Sequence, residues 1–129
     1  MKQETVGLTI EAKTIHRTPT ISYIELEGRF DAEGLPLVLS EIERCVSSGS
    51  QRFLIDLRNV SFIGSAGIGI FLSLVEELNG EGGGVVFINV PDAIQRIFEV
   101  LNVLEFLDLR NNRDEATNAL LAISTGSAT

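Results

Sequence analysis

Ser65 stands where a strand pattern gives way to a helix pattern, with Gly64 before it and Ala66-Gly67 after it. A serine at such a turn first suggests a hydrolase nucleophile. The nucleophile elbow needs glycine two residues before and two after the serine. Gly67 meets one condition, but Ile63 occupies the other position, and the only histidine, His16, lies in an early turn. Dinucleotide binding through Gly67-Ile68-Gly69 would need a third glycine at the place of Leu72. A triphosphate loop would need lysine where Ile70 stands. The run Glu81-Gly82-Gly83-Gly84 precedes a strand rather than a helix and carries no lysine, so it reads as a plain connection. No clustering of histidine, cysteine and carboxylate suggests a metal site. The residues therefore point to no enzyme and to no cofactor. They leave an exposed serine at a helix N-terminus.

The elements around Ser65 are legible from periodicity. Residues 53–57 are apolar on both faces apart from Asp56, as in a central strand covered on both sides. Phe71, Leu74, Val75 and Leu78 recur at i, i+3, i+4 and i+7, the buried stripe of a helix. Ser65 is placed as its N-cap, with the hydroxyl accepting from a free N–H of the first turn. The opposite side carries Ala66, Gly69, Ser73 and Glu76. Glycine in a helix costs roughly 1 kcal/mol relative to alanine. Either Gly67 and Gly69 let the helix sit close to the sheet, the favoured reading, or they leave a flat surface for another protein.

Along the chain, residues 5–14 alternate, with Val6, Leu8, Ile10 and Ala12 on one face. A turn at 16–19 leads to a second strand at 21–27, and the two are expected to form a hairpin. Asp31 is a plausible cap before the next helix, whose regular part starts near Leu35 because Pro36 is tolerated only in a first turn. Its stripe is Leu35, Val38, Leu39, Ile42 and Val46, with Glu41, Glu43 and Arg44 facing water and Gly49 capping the end. The Ser65 helix is expected to end at Asn79-Gly80. A strand at 85–90 follows. Pro91 then opens a helix whose stripe is Ile94, Ile97, Phe98 and Leu101. Residues 105–109 suggest a short edge strand. Asn112 to Glu115 resembles a capping box before a last helix carrying Ala116, Ala119, Leu120 and Ile123. The expectation is one α/β domain over residues 1–129, with a core at about 5–123 and a frayed tail at 124–129. The sheet should be mostly parallel, of four to five strands with an N-terminal hairpin, and carry about four helices. Sites in such sheets lie beyond the carboxyl ends of strands, which is where Ser65 falls.

Composition narrows the partners. The 129 residues carry a net charge of −8. That balance argues against nucleic acid and against an anionic membrane surface. Cys45 falls on an apolar helical stripe and reads as a small core residue. The uncharged run at 59–75 is short for a membrane span and is better explained by a strand end, a turn and a helix. No apolar signal segment follows Met1, and the chain is expected to be cytoplasmic with no membrane insertion.

Three stretches resemble STAS domains. They are Tyr23 to Ala32, with its Gly28-Arg29-Phe30-Asp31; Asp56-Leu57 through Ile63 and then Ser65 to Gly69; and Ile94 to Leu101 followed by Val103-Leu104. The short form is similar to that of anti-sigma factor antagonists. The resemblance implies partner switching. An unphosphorylated antagonist binds an anti-sigma factor that is also a serine kinase, the kinase phosphorylates the helix-N-terminal serine, and a phosphatase resets it. The matching acceptor is Ser65, and partner contact is expected at Asp31, Gly64, Ser65, Ala66, Gly69 and Ser73. The family's acceptor usually follows an aspartate, and here that position is Gly64. Glycine there reflects either a turn that needs a positive φ or the loss of the acceptor function; an ordinary negative φ is expected. The alternative function is a STAS scaffold in a signalling or lipid-transport assembly.

Overall fold

The computed structural model describes residues 2–5 and 7–123. Six strands form one sheet in chain order: β1 (Lys2–Thr5), β2 (Leu8–Arg17), β3 (Thr20–Phe30), β4 (Arg52–Ile63), β5 (Gly84–Ile88) and β6 (Asp108–Arg110). The first two pairings are antiparallel and the next three parallel. Helices α1 (Leu35–Ser47), α2 (Ser65–Gly80) and α3 (Asp92–Val100) connect the parallel strands, and α4 (Arg113–Leu121) follows β6. The α/β fold and the four α-helices are as expected. The sheet is mixed and has six strands rather than four to five. The strand expected over residues 5–14 is β2, which starts only at Leu8 after a turn at Gly7, whose φ is +82°, and β1 before that turn is additional. Val6 and the expected tail at 124–129 lie outside the described residues.

Alternation along β4 divides the core between the two faces of the sheet. Phe53, Ile55 and Leu57 point to one face, beneath α1, α2 and α3, with Ile24, Leu26 and Phe30 of β3. Leu54 points to the other, with Ile21, Tyr23, Val86 and Ile88, beneath Ala116 and Leu120 of α4. Buried polar groups pin this second layer. Tyr23 Oη donates to Asp56 Oδ2 at 2.7 Å, Asn89 Nδ2 donates to the same oxygen at 3.2 Å, and the Arg58 N–H donates to Oδ1 at 2.9 Å. The one carboxylate in the central strand thus ties β3, β4 and the exit from β5 together. Arg52 Nη1 donates to the Leu120 carbonyl at 2.7 Å, satisfying the end of α4 from beneath.

Several local expectations shift. Glu41 is buried rather than facing water, held by Arg44 Nη2 at 2.9 Å, while Val46 is 43% exposed. Leu101 is 50% exposed because α3 stops at Val100, so helical spacing no longer aims it at the core. Pro91 is the N-cap of α3 rather than its first residue. His16 belongs to β2, with Nδ1 2.7 Å from the Pro19 carbonyl oxygen. The expected edge strand is a 3-10 turn at Leu104–Phe106 followed by β6. Among the described residues no helix is long and apolar enough to cross a membrane.

One unequal length positions the site. β5 stops alongside Asp56, whereas β3 pairs with β4 as far as Phe30 and Ile63. The seven residues from Leu57 to Ile63 carry β4 roughly 20 Å past the end of β5. On this extension Phe30 packs edge-on against Phe71 of α2, with ring centroids 5.5 Å apart, and Phe71 against Phe87 of β5 at 5.0 Å. The two glycines of α2 differ. A Cβ on Gly67 would lie 2.9 Å from the Phe30 ring and 3.0 Å from Ile63, so close approach requires glycine there. A Cβ on Gly69 would meet nothing within 4 Å. The close-packing reading holds for Gly67 and fails for Gly69.

Two stability predictions follow from this packing. Gly67→Ala should lose about 1–2 kcal/mol, overpacking outweighing helix propensity, and Gly69→Ala should gain about 0.5–1 kcal/mol. Urea melts of both variants check the opposite signs. The second concerns Tyr23, the only tyrosine. Burial first, then the hydrogen bond and charge of Asp56, push its phenol well above its ordinary value. An unfolded phenol ionises near about pH 10 while the folded one keeps its proton, so this contribution is full below about pH 10 and falls as pH rises further. Alkaline melts of wild type and Tyr23→Phe should show the steeper loss in wild type, with tyrosinate absorbance appearing only on unfolding.

Candidate functional site

β3 and β4 end together, and their ends define the site. The Gly64 N–H donates to the Phe30 carbonyl at 2.9 Å, closing the last rung before the chain turns into α2. Gly64 is extended, with φ −91° and ψ 174°, and is itself the N-cap; its carbonyl accepts from the Ile68 N–H at 3.1 Å. Ser65 is therefore the first residue of the helix and not its cap, a correction to the sequence reading. The strand geometry persists one residue further than the apolar pattern suggests, because β3 supplies a partner for Gly64. Ser65 is exposed, and among the described residues its hydroxyl takes no hydrogen bond.

Gly64 has the ordinary negative φ expected of it. A Cβ there would lie 3.5 Å from the Phe62 ring and 3.7 Å from the Asp31 Cα, ordinary contact distances. The same geometry places Asp31 beside Gly64. Asp31 caps the 3-10 turn Ala32–Gly34, its Oδ1 accepting from the Glu33 N–H at 3.1 Å. Asp31, Gly64 and Ser65 thus meet at one tip of the sheet. Ala66 is half-buried on the first turn of α2, while Gly69 and Ser73 are exposed along it. Small side chains on this stripe keep the helix backbone accessible from outside.

Arg29 is the feature that sequence reasoning missed. Its guanidinium lies over the Phe62 ring, 4.3 Å from the centroid, and its Nε is 4.0 Å from Asp31 Oδ2. The signal was the register: Arg29 is opposite Phe62 only once β3 and β4 are paired in parallel with their two irregularities. A cation is thereby fixed at the rim of the tip, next to the carboxylate.

Among the described residues no hydrogen-bonded base accompanies the Ser65 hydroxyl. His16 pairs with Ile21 at the beginning of β3, and Ser65 lies past its far end. Roughly 30 Å of strand separates them. No three potential metal ligands cluster among the described residues. What the tip offers is a free hydroxyl on an open helix face, at the positive end of a four-turn helix with no acidic residue in its first turn.

The fold is shared with known proteins. The Staphylococcus aureus anti-sigma-B factor antagonist is 22% identical over 91 residues, covering 70% of this chain and 84% of its own. The crystal structure of an anti-sigma factor antagonist from Mycobacterium paratuberculosis superposes with a TM-score of 0.72 at 23% identity, covering 87% and 94% of the two chains. The Bacillus protein SpoIIAA matches at 17% identity in two forms. The unphosphorylated form has a TM-score of 0.70, covering 89% of this chain and all of its own, and the phosphorylated form 0.63, covering 84% and 98%. The STAS domain model itself matches residues 11–116, which takes in β3, β4, the tip and α2, and the chain belongs to the STAS domain family.

Proposed function

We propose that this chain is an anti-sigma factor antagonist that switches partners through phosphorylation of Ser65. The observation that carries the reading is the place of Ser65: exposed, first in α2, at the tip where Asp31 and Gly64 meet. The unphosphorylated tip and the stripe of Ala66, Gly69 and Ser73 form the contact face for an anti-sigma factor that is also a serine kinase. A phosphatase restores the hydroxyl. The chain acts as substrate and ligand and contributes no catalytic group.

Electrostatics gives the switch its direction. A phosphoserine carries about −1.5 to −2 charges. At the first position of α2 that charge meets free backbone N–H groups and the positive end of the macrodipole, so the fold accepts it. A partner pressed against the same small-residue face has no such compensation. Desolvating or opposing a dianion there costs several kcal/mol, enough to change affinity by orders of magnitude.

Gly64 modifies this picture without breaking it. An aspartate fits sterically at position 64 and would cap α2, but its carboxylate would face that of Asp31. Cap gain and like-charge repulsion offset one another. Glycine in this place leaves Asp31 as the carboxylate beside Ser65.

The switch is tested with three proteins. Ser65→Ala removes no cap, so stability should change by less than about 0.5 kcal/mol, with partner affinity kept and phosphorylation lost. Ser65→Asp should gain a few tenths of a kcal/mol or remain level and bind the anti-sigma partner recovered from native cells at least about tenfold more weakly. Calorimetry and mass spectrometry after incubation with partner and ATP provide the readouts; phosphate found elsewhere, with Ser65 unmodified, would sink the assignment. A separate expectation concerns Gly64→Asp. It should fold with stability within about 1 kcal/mol of wild type and be phosphorylated at Ser65 as fast or faster. A melting loss of several kcal/mol would contradict the steric reading of the turn.

A further inference from the structure

A second concavity lies between α1 and α2, away from the tip. Residues 39–47 of α1 and 70–81 along and just past α2 enclose a groove of about 370 Å³. Leu39, Ile42 and Val46 of α1 and Ile70, Leu74 and Leu78 of α2 form its apolar floor. Within each helix these residues repeat every three or four positions, so each presents a continuous ridge. The charged groups in the lining have one sign: Glu43, Glu77 and Glu81. Arg44 does not neutralise them. It lines a different concavity with Ser48 and Ser50, and its guanidinium is engaged by Glu41 at 2.9 Å.

Floor and rim together specify the occupant. Ridges of two neighbouring helices leave a groove into which the ridge of a third can pack. The floor calls for apolar side chains at i, i+3, i+4 and i+7, and the acidic rim for lysine or arginine flanking them. A second copy of this chain is a poor fit, because it carries a net charge of −8 and would bring like charge to the rim. A fatty acid or phospholipid would set its anionic head among three glutamates, in a lining with no lysine or arginine among the described residues.

We propose that this groove docks a basic amphipathic helix of a partner protein. Ser73, on its edge, lies two turns of α2 and about 12 Å along the axis from Ser65. The docked helix and the modified serine therefore occupy separate places on one face. The proposal stands whether or not Ser65 is phosphorylated.

The test uses the isotopically labelled full chain and a synthetic helical peptide about four turns long. The peptide has leucine on one face and lysine and arginine on its flanks. Its counterpart carries glutamate in place of every basic residue. The basic peptide should bind with micromolar affinity and shift amides confined to residues 39–47 and 70–81, and the acidic one should not bind. Glu43→Lys with Glu77→Lys should weaken binding at least about tenfold. Val46→Arg, at an already exposed position, should do the same while the remaining amide spectrum stays intact. Ser65→Asp should leave the affinity unchanged, which separates this groove from the switch. The proposal is overturned by absence of binding, by equal binding of both peptides, or by affinity indifferent to the glutamate reversals. It is likewise overturned if dodecanoate gives the same shifts, if sedimentation shows the groove closed by a second copy, or if Ser65→Asp alone abolishes binding.

Discussion

The seating of α2 on Phe30 is the contact on which the rest depends. Phe30 is the last residue of β3, fully buried, and its ring lies where a Cβ on Gly67 would have to go. The same ring packs edge-on against Phe71 one turn further along the helix. Phe71 passes the contact on to Phe87 in β5. An aromatic chain therefore runs from the tip of the sheet into its centre, and α2 lies along it. Gly67 lets the first turn approach the strand end closely, and that approach fixes where Ser65 emerges.

The two faces of the sheet have different tasks. The face under α1, α2 and α3 is mainly apolar and sets helix positions by packing. The face under α4 is smaller and is fixed by polar contacts: Tyr23 and Asn89 on Asp56, and Arg52 on the last carbonyls of α4. Directional bonds make up for the small apolar area there. They also mark the point where β5 stops, so that β3 and β4 continue beyond it as an extension covered mainly from the α2 side.

Periodicity made the elements legible, and register hid the rest. Of the stripe at Phe71, Leu74, Val75 and Leu78, all but the half-buried Val75 are buried as the spacing requires, whereas the anchoring role of Asp56 is legible only as one polar residue in an apolar strand. The start of β2 is not legible in the sequence because Gly7 looks no different from any other residue in an alternating run; only its positive φ reveals a turn. Ser65 was misplaced by one position. The side-chain pattern stops at the end of β4, but the backbone pairing continues through Gly64, and pairing leaves no mark on the sequence of one strand. Arg29 on Phe62 and Glu41 beneath Arg44 were invisible for the same reason: each depends on what a neighbouring element brings alongside. The roles of Gly67 and Gly69 were also inseparable by spacing alone, since two positions on a helix turn it by about 200°.

That last difference bears on what kind of surface α2 presents. An exposed glycine with open space above it gives up helix stability and fills no packing need of its own fold. Close packing accounts for Gly67 but not for Gly69. Gly69 lies on the exposed stripe with Ser65 and Ser73, and the stripe leads to the acidic groove beside α1. A face that is flat at one end and grooved at the other can engage one partner in two physically distinct ways. On the proposed reading, backbone-close contact near Ser65 is sensitive to a phosphate, because a dianion cannot be desolvated cheaply against it. Apolar contact in the groove is not, since at about 12 Å, roughly a Debye length, a surface charge is largely screened. In the proposed mechanism, modification of Ser65 would thus remove the tip contact and leave the groove contact in place, loosening a complex by a definite increment rather than dissolving every interaction at once.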